Sequence, residues 1–249
     1  MASQAINALV CAMCRVSLTL CLLLLPLPAL AAVSDSARYR RCMAAPPAAA
    51  LADAENWARD AGGVPAQHCA AHALVGLNRF AEAAARLDKI AGGRNVPDAA
   101  FRSELFDQAG NAWLLAGDAA KAVRSFSAAL TLSGGDADLF ADLGRAQAMR
   151  RNWPEAVLDL NAALQARPRD AALLVLRASA HRALKQFGEA HRDIEAALKA
   201  RPGDGDALVE RGLLRRQLGD LGGARRDFQA ALKTGASAAA KENLDVLRR

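Results

Sequence analysis

The 249-residue chain is 53% apolar but only 4% aromatic, with Tyr39 its single tyrosine, which excludes a core built on aromatic packing and leaves Ala, Leu and Val to fill closely spaced helices. Its formal charge of +6 draws acidic partners by long-range steering and defines no site by itself.

Residues 1–32 read as a secretory leader. Arg15 precedes the apolar run Leu18 to Leu25, and Pro26, Pro28, Ala29, Leu30 and Ala31 then lead to a cut after Ala31 or Ala32. As a membrane span the run is too short, because roughly 20 apolar residues are needed, and the two prolines interrupt it. A start at Met13 gives a more compact lead than Met1, and Leu18-Thr19-Leu20 lacks the small residue a lipidated Cys21 would need before it. Removing the leader lowers the charge by one and takes away Cys11, Cys14 and Cys21. The Cys11-Ala-Met-Cys14 motif goes with it, and since Arg15 rather than His follows, neither redox nor haem-attachment chemistry is implied. Cys42 and Cys69 remain. In an oxidising compartment they point to one disulfide, closing a loop of about 26 residues for roughly 3 to 4 kcal/mol; two buried thiols are the alternative. Export also disfavours nucleic acid as a partner.

Residues 33–63 are expected to form an N-terminal helical cap or degenerate repeat, with helices at 36–45 and 48–61 separated by Pro46-Pro47 and stopped by Gly62-Gly63. Helix pairs follow at 65–77 with 80–91 and 103–116 with 119–132, separated by a loop at 92–97. Regular pairs then run 137–150 with 154–166, 171–184 with 187–200, and 205–218 with 221–233. Residues 237–249 place Leu244 and Leu247 on one face and are expected to cap the end.

A fixed beat runs through these pairs. Asp136, Asp170 and Asp204 are 34 residues apart, as are Ala156, Ala190 and Ala224, and Ala163, Ala197 and Ala231. That period describes a stacked-repeat solenoid in which each unit buries its apolar face against its neighbours. Each of the three aspartates immediately precedes a first helix, where a carboxylate can cap exposed N–H groups. Trp153, Phe187 and Leu221 open the second helices on the same beat and are read as core.

On these residues the chain resembles the tetratricopeptide repeat (TPR) family, whose 34-residue unit has small residues at positions eight, twenty and twenty-seven, a large apolar one at twenty-four and often Pro at thirty-two. Gly110, Gly144, Ala178 and Gly212 match the eighth; Ala83, Ala122, Ala156, Ala190 and Ala224 the twentieth; Phe126, Leu160, Ile194 and Phe228 the twenty-fourth; Pro168 and Pro202 the thirty-second. The resemblance spans residues 64–236 and implies an all-α superhelical solenoid of about five hairpins. It further implies a groove lined by the first helices. Transferred to this chain, the groove positions give His72, Asn111, Arg145, Met149, Arg182, Arg216 and Gln217. Asp107, Ala141, Val175 and Val209 at the fifth position rule out the family's terminal-carboxylate clamp.

Chemistry is not expected. His68 and His72 flank Cys69 one turn apart, but no acidic residue follows at a spacing that completes a metal site. His181 and His191 lie among charges usual for solvated helix faces, and no nucleophile elbow, phosphate loop or HExxH motif occurs. The expectation is a periplasmic adaptor without cofactor, metal or membrane span, whose groove arginines hold a protein or peptide partner, acidic segments being favoured. The alternative is a basic surface for anionic envelope polymer or lipid, formed by Arg145, Arg150, Arg151, Arg182, Lys185, Arg215 and Arg216 on one face.

Overall fold

The computed structural model describes residues 27–96, 98–235 and 237–247, which form thirteen helices and no strand. Most of the expected leader, with the Met13 start and Cys11, Cys14 and Cys21, lies outside the described residues. The expected cut at Ala31 or Ala32 falls within the first described helix.

The chain divides into two compact units at Gly76. The N-terminal unit contains α1 (Leu27–Ala44), α2 (Pro47–Arg59) and α3 (Gly63–Gly76). Pro47 starts α2, where its missing N–H costs nothing. Cys42, Ala50, Ala54, Cys69, Ala70 and Ala73 form the core. Few large side chains fill it, so specific ties matter. Cys42 and Cys69 face each other at disulfide distance, their Cα atoms 6.2 Å apart. Arg38 pairs with Asp53 at 2.8 Å and lies 5.2 Å over the buried Trp57 ring, and the Tyr39 hydroxyl stands 2.8 Å from His68 Nδ1.

The C-terminal unit runs through α4 (Phe80–Ala91), α5 (Ala99–Leu115), α6 (Ala119–Ser133), α7 (Ala137–Met149), α8 (Trp153–Ala166), α9 (Ala171–Ala183), α10 (Phe187–Ala200), α11 (Gly205–Gln217), α12 (Leu221–Lys233) and α13 (Ser237–Val246). The unit boundary thus falls inside the first expected hairpin. The reason lies in the ties of each helix: Cys69 on α3 faces Cys42 on α1 at disulfide distance, whereas Asp88 on α4 accepts from Trp113 Nε1 and from Ser125 Oγ, both at 2.7 Å. Helix α5 begins a turn earlier than the spacing predicts, capped by Asp98.

Within this unit α5 packs on α6, α7 on α8, α9 on α10 and α11 on α12, and each pair packs on the next. First helices of successive pairs also meet, α5 with α7, α7 with α9 and α9 with α11. This sequential stacking is the all-α superhelical repeat fold. Asp136, Asp170 and Asp204 each accept from N–H groups of the following first turn. The close approach within a pair is set by the small residues: a Cβ at Gly110 would stand 2.5 Å from the Phe126 ring, one at Gly212 2.5 Å from Phe228, and one at Gly144 2.8 Å from Leu160. The equivalent Ala178 packs against Ile194, which has no ring to intrude.

A second 34-residue pattern, not predicted above, ties the later pairs together. Arg177 donates to Asp193 at 2.6 and 2.8 Å and to Asn161 of the preceding pair at 2.7 Å. Arg211 repeats this with Asp227 at 2.9 Å and Glu195 at 3.3 Å, and Arg215 adds a 2.6 Å contact to Asp227. Asp193 and Asp227 are buried, so these guanidiniums satisfy charges that would otherwise be costly. Asp159 occupies the same repeat position with Leu143 where the arginine would be. Burial, reinforced by Glu155, pushes its carboxyl up to about 6.

Candidate binding groove on the first helices

Helices α5, α7, α9 and α11 present residues in register, because each repeat advances by the same 34 positions. Near their starts lie Glu104, Asp138, Ala172 and Asp206, and a turn further on Asp107, Ala141, Val175 and Val209. At their ends lie Leu115, Met149, Ala183 and Gln217. Between α7, α9 and α11 this face encloses a cavity of about 390 Å³, lined by Arg145, Ala172, Val175, Leu176, Ser179 and Val209, with Asp206 and Glu210 at its α11 side. Aliphatic walls bordered by the charged Arg145, Arg201, Asp204, Asp206 and Glu210 suit a peptide or helix that brings both apolar and polar side chains.

Six of the seven expected groove residues belong to the C-terminal unit, on α5, α7, α9 and α11; His72 lies exposed on α3 in the N-terminal unit. Arg145 lines the cavity and is exposed, but its guanidinium is paired with Asp142 one turn back. Arg182 is held by Glu210 of the next repeat, with side chains only 18% and 8% exposed. Burial pushes the Glu210 carboxyl up against the pull of that guanidinium. Arg216 donates to Asn243 of α13 at 2.7 Å. Asn111 donates to Asp107 Oδ1 at 3.1 Å. Met149 and Gln217 project into solvent.

The arginines on this face are therefore occupied by the fold itself. The same holds for Arg215, which serves Asp227 and lies 3.9 Å from Asp220. Arg150, Arg151 and Lys185 remain exposed near the ends of α7 and α9.

Two features of the face extend the expected set, through Leu115 beside the expected Met149 and through Glu104 beside Asp107. Leu115 is 60% exposed and Met149 50%, at equivalent ends of successive first helices. Carboxylates gather at the α5–α7 end: Asp107 is half-buried, and burial together with Asp142, Asp136, Asp138 and Glu104 pushes its carboxyl up to about 6. Glu104 and Asp107 stand at groove positions of the 34-residue repeat and could have been found by that spacing, whereas the net positive charge directs attention to arginine.

Among the described residues no three of His, Cys, Asp or Glu are grouped to hold a metal ion, and no helix is long and apolar enough to cross a membrane. Two of the histidines noted in the sequence serve local contacts: His68 faces Tyr39, and His181 Nδ1 lies 2.6 Å from Gln186 Oε1.

Comparison with known proteins agrees with the repeat fold. The tetratricopeptide repeat family profile matches residues 175–240. Among solved structures, the crystal structure of MamA superposes with a TM-score of 0.57 at 18% identity, covering 68% of this chain and 96% of that one. The crystal structure of YrrB, described as a TPR protein with an unusual peptide-binding site, gives 0.57 at 20% identity, covering 73% and 91%. MamA from Desulfovibrio magneticus RS-1 gives 0.58 at 20% identity, covering 68% and 92%. At these identities the likeness is one of fold. No curated protein sequence matches the chain significantly.

Proposed function

We propose that this chain, a tetratricopeptide-repeat protein by its repeat pattern, family match and fold, is an interaction scaffold that holds a peptide or partner helix on the first-helix face of its C-terminal unit. The observation that carries the reading is the cavity between α7, α9 and α11, where Val175 and Val209 supply an aliphatic wall beside polar groups able to fix orientation. The description of YrrB as a peptide-binding TPR protein supports the same use of the fold. The leader read in residues 1–32 and the Cys42–Cys69 pair at disulfide distance support a periplasmic setting for this activity.

A photo-crosslinking residue at Val175, compared with one at Leu158 on α8, tests the proposal in the native host. Leu158 is 67% exposed, so it reports on solvent-facing capture in general. A discrete crosslinked partner from Val175 and none from Leu158 is expected. Equal capture at both positions would contradict the assignment of the face.

A further inference from the structure

At the α5–α7 end of this face and at the mouth of its cavity, the charge left differs in sign from the charge of the chain, and that selects the partner. Arg145 and Arg182 are held by Asp142 and Glu210, and Arg201 at the cavity edge by Asp204 at 2.7 Å, while Arg216 donates to the neutral Asn243 and Arg150, Arg151 and Lys185 stand exposed at the far helix ends. On the acidic side, Asp138 is bridged by Arg167 at 2.9 Å. Asp107 and Glu104 accept only neutral amides on their own helix, from Asn111 and Gln108, and Asp206 stands exposed at the mouth of the cavity. Asp107 faces carboxylates from both its own helix and α7, namely Glu104, Asp136, Asp138 and Asp142. The partner missing from this set is a cation. The apolar steps Leu115 and Met149 share the face with these carboxylates, and Val175 and Val209 continue it across α9 and α11.

We infer that the segment seated on the first-helix face is a basic amphipathic stretch of a partner protein, with aliphatic side chains against Met149, Val175 and Val209 and lysine or arginine side chains toward Asp107, Glu104 and Asp206. The inference rests on the groove reading above and adds the chemistry of its occupant. Charge complementarity selects it: an acidic segment would meet the uncompensated carboxylates and find the arginines beside the cavity, Arg145, Arg182 and Arg201, already paired.

Fluorescence anisotropy on the full chain tests it with two labelled amphipathic peptides that share leucine positions and carry either lysine or glutamate on the polar face. The lysine peptide should bind about tenfold more tightly at low salt, lose about tenfold in affinity on combining Glu104→Gln with Asp107→Asn, and weaken as salt rises. Val175→Trp, with helicity checked by circular dichroism, should block it sterically. Tighter binding of the glutamate peptide, still blocked by Val175→Trp, would overturn the basic partner and leave the groove standing. Lysine-peptide binding insensitive to Val175→Trp would remove the groove itself. Failure of both peptides to bind would also overturn the inference.

Discussion

The residues with the least freedom are those at the crossing of each helix pair. Gly212 has no room for a Cβ because the Phe228 ring occupies it, so Gly212→Ala should destabilise the C-terminal unit by roughly 1 to 3 kcal/mol, read by urea denaturation. The turn after each first helix imposes another constraint: Asn78, Gly117, Arg151, Lys185 and Gly219 all have positive φ, between 58° and 86°, at equivalent repeat positions. Lys185 adopts at a cost what Gly117 and Gly219 adopt freely. Lys185→Gly should therefore stabilise the protein by about 1 kcal/mol, seen as a higher denaturation midpoint.

Titration at this scale runs against the usual carboxylate pattern. Asp107 and Asp159 both titrate at about 6 in the folded chain, above the ordinary value of about 3.9. Between those values the folded state holds protons that the unfolded state has released. Their contribution to stability therefore falls as pH rises through the window and is lowest above pH 6. Lowering the pH from neutral to about 5 should raise the denaturation midpoint, and the double change Asp107→Asn with Asp159→Asn should flatten that dependence. Leu143→Arg tests the cause at Asp159: by completing the pattern of Arg177 with Asp193, it should raise stability at neutral pH and remove the Asp159 share of the slope.

Among the elements, α1 depends most on a few specific ties. Its contacts with α2 and α3 involve few large side chains, and Cys42 with Cys69, Tyr39 with His68 and Arg38 with Asp53 bind it to the rest of the N-terminal unit. Reduction, or Cys42→Ala with Cys69→Ala, should cost the N-terminal unit about 3 kcal/mol on the chain-entropy account. Hydrogen exchange should accelerate in α1 and α3 and stay unchanged in α7 to α12; equal protection with and without reductant would mean that the tie carries no stability. The regular helices were legible because their signals are local: Asp136, Asp170 and Asp204 cap the helices they precede, and the last three pairs lie within a residue or two of the spacing's prediction. The early start of α5 was not legible, since Asp98 takes the cap outside the 34-residue register, beyond the loop that breaks the beat.

At the level of the whole molecule, the period alone foretold a stacked helical array, because a unit that cannot bury its own apolar face must lean on a copy of itself. That equivalent first-helix positions share one face was legible for the same reason. Their electrostatics were not, because charge pairing is decided in three dimensions. Arg182 reaches Glu210 across 28 residues and Arg211 reaches Asp227 across 16, and neither separation follows from a local rule. Summed charge counts Arg177, Arg182, Arg211 and Arg215 as available when the fold has already engaged them, so a basic chain can carry a face whose uncompensated groups are acidic.

The claim that the first helices hold the partner is tested most directly by hydrogen–deuterium exchange on the full chain, alone and joined to the partner captured at Val175. Protection should appear along α5, α7, α9 and α11 while α8 and α10 exchange as in the free protein. Protection confined to α8 and α10, or to the N-terminal unit, would contradict it.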